Sequence, residues 1–219
     1  MTGNEVTMDA ADSQPDGAEQ AHADLAFMRA LVEEGGRSQI AGGNALLWGG
    51  LLYGFQCLVQ WAQVIGLVHL SDRAMLVFIN GVTVVFLVVL GIVLWRDRKT
   101  SQRGVGTRAV NSAFGGAGLA NLVLLISFGV VATRERSLTI WLLYPATLSV
   151  VLGSAWYVAF MIRRRTWLLA VSIGWYATAL GLAVLTRSYG AYTLLFAVAL
   201  FVLMALPGAV MMRAGRVAS

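Results

Sequence analysis

From Gly43 to Met212 the chain alternates long apolar stretches with brief polar breaks. The stretches are apolar on every face. In LVFINGVTVVFLVVLGIVLW, residues 76–95, only Asn80 and Thr83 interrupt the hydrocarbon. Crossing the bilayer core takes about 20 residues of helix at 1.5 Å rise, so uncharged windows of at least about 18 apolar residues predict transmembrane helices. Six windows qualify: 43–68, 74–95, 110–133, 138–162, 167–186 and 191–212. Outer-membrane strands would show ten-residue alternation instead. Helices close their own backbone hydrogen bonds in lipid. The expected fold is therefore all-α, a polytopic six-helix transmembrane bundle with short loops.

Charge orients the bundle, because basic residues collect on the cytoplasmic side of short loops. One side carries twelve of the sixteen cations: Arg29, Arg37, the cluster Arg96, Arg98, Lys99, Arg103 and Arg108, the run Arg163, Arg164 and Arg165, and Arg213 and Arg216. The other carries Arg73, Arg134, Arg136 and Arg187. Six crossings then place both termini in the cytoplasm. Tryptophan and tyrosine gather at membrane interfaces, which suits Trp48, Trp95 and Trp167 inside and Trp141, Tyr189 and Tyr192 outside. The basic loops would also attract an anionic leaflet, by about 1 kcal/mol per residue. Their position against helix ends favours lipid and topology over nucleic acid. Compact loops, and arginine in place of all but one lysine, point to the cytoplasmic membrane of a bacterium.

Residues 1–42 form a tail of opposite sign, with eight acidic residues against two arginines, a net of −6 where the whole chain is +5. Ala21, Leu25, Met28 and Val32 recur at helical spacing, and Gly35–Gly36 reads as a stop. This predicts a short amphipathic helix over about 18–35. The acidic start lacks the basic n-region of a cleaved signal peptide. Residues 213–219 make a short cytoplasmic C-terminus.

Composition changes this picture mainly by exclusion. With 58% hydrophobic and 12% charged residues, a soluble domain is ruled out, since about a quarter of a soluble domain is charged. No ionisable acid, lysine or histidine falls within a span, so neither proton coupling through a buried carboxylate nor a nucleophile–base pair is expected. Cys57 stands alone, and no metal or cofactor site is expected. His69, Asp72 and Arg73 form the one outer cluster holding both an acid and a base, the weak basis for a lipid-modifying enzyme.

The distinctive polar feature lies in the first span. Gly49, Tyr53, Gln56, Gln60 and Gln63 share one helix face. Three glutamines are poorly suited to lipid, and Asn80, Asn111 and Asn121 of the next two helices are their expected partners. Such a seam either bonds helices together or lines a path for a neutral polar solute. Small-residue pairs four apart, Gly50/Gly54, Gly116/Ala120, Ser149/Gly153 and Ala177/Gly181, predict close helix packing and give weak support to a homo-oligomer. The leading expectation is a non-enzymatic membrane protein, an accessory or regulatory partner that meets another protein through its acidic tail. The alternative is a transporter or channel component lined by the Gln/Asn face.

Overall fold

The computed structural model describes residues 17–97 and 105–217, and among them there is no strand. The helices are α1 (Gly17–Val64), α2 (Asp72–Asp97), α3 (Val105–Arg134), α4 (Leu138–Arg163), α5 (Thr166–Val184), α6 (Tyr189–Leu200) and α7 (Leu206–Val217). A 3-10 turn at Leu185–Arg187 follows α5, and a π-helical turn at Phe201–Ala205 joins α6 to α7. Both sides of that junction keep right-handed helical backbone, so α6, the π turn and α7 form one rod.

Five helices are long and apolar enough to cross a membrane: α2, α3, α4, α5 with its 3-10 turn, and the α6–α7 rod. The corresponding stretch of α1 contains Asn44, Gln56, Gln60 and Gln63, which lower its mean hydropathy. On α2 and α3 large side chains such as Val77, Leu119 and Val123 stand exposed, as expected where hydrocarbon rather than water is the solvent.

Two expected boundaries shift. The helix expected over 43–68 ends at Val64, because Gly66 turns the chain at φ 78°. The Gly66 amide donates to Gln63 O and the Leu67 amide to Ala62 O, the paired bonds of a Schellman ending. At the other end, α1 runs unbroken through Gly35–Gly36, where the sequence suggests a stop. Glycine in a helix costs about 1 kcal/mol relative to alanine, too little to break a helix continued on both sides.

Packing follows the small residues. α1 lies antiparallel along the α6–α7 rod, with Gly43 against Gly208 and Met212, Gly50 against Ala205 and Leu200, Gly54 against the Phe201 ring, and Val64 beside Gly190. The α1 positions are separated by 7, 4 and 10 residues, sums of the three- and four-residue steps of an a/d-like helix seam. α4 packs on α3 and on α5, and α5 on the rod. α2 rests on α1 alone among the strongly packed pairs, through Phe86 against Tyr53 and Phe78 against Phe55. The core joins Cys57, Val110, Trp156, Trp175, Ala197 and Leu200. Trp175 is 0% exposed and Trp156 1%, so both serve packing. Tyr192 is also buried, at 3% exposure.

Candidate functional site

The polar seam of α1 lies next to the glycine seam that meets the rod. Tyr53, Gln56, Gln60 and Gln63 are all partly buried, so the seam faces protein in part. Tyr53 meets Phe86 of α2 edge-on, with ring centroids 5.2 Å apart. The buried Oε1 atoms of Gln56 and Gln63 have no donor among the described residues. Gln63 spends its amide N–H on Leu70 O at 3.1 Å, tying the end of α1 to the loop that follows.

The expected asparagine partners behave differently from one another. Asn121 accepts a 2.6 Å bond from the Tyr144 hydroxyl, so it joins α3 to α4. Asn80 is exposed and donates at 2.7 Å to Leu76 O of its own helix. Asn111 is partly buried and lies ten residues before Asn121, about 15 Å along α3. Thr83, Thr147, Ser149, Thr178 and Thr193 also bond carbonyls four residues back. A hydroxyl or amide satisfied by its own helix can face hydrocarbon without a partner helix.

Among the tertiary bonds that the sequence did not predict, two lie beside prolines. Pro207 has no N–H for Leu203 O, and the Trp175 indole donates to that carbonyl at 3.2 Å, locking α5 to the rod at the π turn. Likewise Pro145 deprives Trp141 O of its in-helix donor, and one residue on, the Tyr192 hydroxyl donates to Leu142 O at 2.6 Å. For the first bond the usable signal was a proline four residues after the carbonyl, whereas Leu142 O lies three residues before Pro145 and carries no such mark.

Of the basic positions, Arg96, Arg108, Arg164 and Arg165 are exposed and Arg163 is partly buried at the end of α4. Arg98, Lys99 and Arg103 lie outside the described residues. His69, Asp72 and Arg73 are exposed in and after the α1–α2 connection. No group of three metal-ligating side chains occurs among the described residues. Compared with protein-family models, curated proteins and solved structures, the chain matches none.

The seam's two kinds of amide make a direct prediction. Asn121→Leu strands the Tyr144 hydroxyl and should lower stability by about 0.6–1.7 kcal/mol. Gln56→Leu removes a buried oxygen that has no donor, so it should leave stability unchanged or raise it by about 1 kcal/mol. Unfolding in mixed detergent micelles measures both, and equal losses would contradict the assignment.

Proposed function

We propose that this is a non-enzymatic integral membrane protein with six crossings and both termini in the cytoplasm, acting as an accessory or regulatory partner at the cytoplasmic face of a bacterial cytoplasmic membrane. The sixth crossing is α1. It accompanies the α6–α7 rod from Gly43 to Val64, and an apolar-enough neighbour along that whole length implies the same depth in the bilayer. Its antiparallel course against the rod fits the first and last of six alternating crossings.

The observation that carries the functional reading is the length of α1. Its 48 residues extend about 72 Å, against a hydrocarbon core of about 30 Å. The 26 residues before Gly43 add about 39 Å of helix, within a tail of net charge −6. His22, Leu25 and Ala26 on this extension are exposed. An acidic helix bearing apolar residues, held at a fixed angle by a membrane bundle, suits a groove on a partner protein. A photo-crosslinking amino acid placed at successive positions from 25 to 33 should yield one discrete heterologous adduct in native membranes, strongest with helical periodicity. Adducts only to the chain itself would overturn the reading.

A second reading rests on the donorless oxygens of Gln56 and Gln63, which a neutral solute bearing N–H or O–H groups would satisfy. On that reading Gln56→Leu abolishes solute flux into reconstituted vesicles while leaving the bundle stable.

A further inference from the structure

A groove of about 610 Å³ opens between the end of α3 and the start of α4, lined by Gly129, Ala132, Thr133, Arg136, Ser137, Leu138 and Trp141. Its volume falls within the range of about 300–1,000 Å³ typical of small-molecule sites. One end is hydrocarbon. Gly129 leaves this end open, since even a Cβ there would meet nothing nearer than the Trp141 ring at 3.6 Å. Trp141 in turn stacks on Tyr144 at 5.6 Å and 27°, which holds the apolar wall in place.

The other end is polar and carries positive charge. Arg136 lines it from a left-handed backbone conformation, φ 47°, at the end of α3, where the Ser137 amide donates to Ala132 O in a common form of helix ending. Ser137 precedes α4 without using its hydroxyl to cap the helix. Thr133 has already given its proton to Gly129 O and Val130 O, at 2.8 and 2.9 Å. The side-chain donors lining the groove are therefore the Arg136 guanidinium, the Ser137 hydroxyl and the Trp141 indole N–H. No carboxylate lines it to receive a choline or ammonium group.

We propose that this groove is a binding site for an anionic glycerophospholipid, its phosphodiester held by Arg136 and Ser137 and an acyl chain laid along Gly129, Leu138 and Trp141. The charge complementarity argues for the anionic headgroup. The continuity of the cationic end with an apolar trough at a helix terminus argues for a lipid rather than a free anion. The site lies at the opposite end of α3 from the basic cluster before it and is independent of the partner-binding extension.

The test uses the full chain in phosphatidylcholine vesicles doped with photoactivatable phosphatidylglycerol or, in parallel, photoactivatable phosphatidylcholine, with labelled peptides mapped by mass spectrometry. Phosphatidylglycerol should label residues 129–141 preferentially. Arg136→Asn keeps a residue that tolerates the left-handed turn but removes the charge, and it should reduce that labelling at least about threefold. Gly129→Leu fills the trough and should reduce it similarly, with labelling near Arg163 to Arg165 unchanged in both variants. Equal labelling of 129–141 by the two lipids, or labelling insensitive to Arg136→Asn, would overturn the proposal.

Discussion

Gly50→Leu should lower the stability of the bundle by about 3 kcal/mol or more, at or above the upper end for overpacked cores. A Cβ at this position would sit 2.5 Å from the Ala205 nitrogen, 2.8 Å from the Ala205 Cβ and 2.8 Å from Leu200 O. Two of those three atoms are backbone, so no side-chain rotation relieves the clash. The π turn would have to move away from α1. Gly208→Leu should do comparable harm, because the corresponding Cβ would lie 2.5 Å from the Leu47 nitrogen and 2.7 Å from Gly43 O. The control is Gly116→Leu on α3, where nothing lies within 4 Å, which should stay within about 0.5 kcal/mol of the parent. Unfolding in mixed micelles compares the three. If Gly50→Leu is tolerated as well as Gly116→Leu, α1 and the rod do not cross at that point.

That contrast also marks how far the sequence could be read. Small-residue spacing names Gly50/Gly54 and Gly116/Ala120 equally. In the fold Gly50, like Gly43 and Gly208, comes against the backbone of a neighbouring helix, Gly54 meets the Phe201 ring, and Gly116 has nothing within 4 Å. Spacing records that a helix can be approached closely, whereas topology decides which helix arrives. The helical class and the long apolar segments were legible because lipid demands uninterrupted hydrocarbon and self-contained hydrogen bonding. The unbroken course of α1 through Gly35–Gly36 was not, since two glycines weaken a helix without dictating its end.

The candidate site divides along the same line. Periodicity puts Tyr53, Gln56, Gln60 and Gln63 on one face of α1, and all four are partly buried there. It could not foresee that Asn80 would turn back on Leu76 O or that Asn121 would pair with Tyr144. An amide in a low-dielectric setting donates its N–H to whichever carbonyl lies within reach, and its own helix offers one four residues back. Hydrogen-bond partners across helices depend on rotation angles that apolar segments, uniform on all faces, leave unspecified. Proline is the exception, because it fixes in advance which carbonyl will lack its in-helix donor.

Trp175→Ala is accordingly the second substitution expected to act strongly, with a loss of about 3–5 kcal/mol for emptying a fully buried indole site. Trp175 is 0% exposed, and its indole N–H caps the Leu203 carbonyl that Pro207 leaves open. Trp175→Phe separates the two contributions, since it keeps most of the ring volume and removes the donor. Pro207→Ala then completes a double-mutant cycle. The alanine restores a backbone N–H four residues after Leu203, able to satisfy the same carbonyl from within the rod. Losing the indole donor should therefore hurt less in the Pro207→Ala background than in the parent, with a coupling of about 1 kcal/mol, inside the measured range for interhelical bonds in membranes. Additivity within about 0.3–0.5 kcal/mol would mean that the indole contributes by volume alone. A measured coupling would instead identify the proline-freed carbonyl as what draws α5 onto the rod at its π turn, a site where α-helical hydrogen bonding is already relaxed.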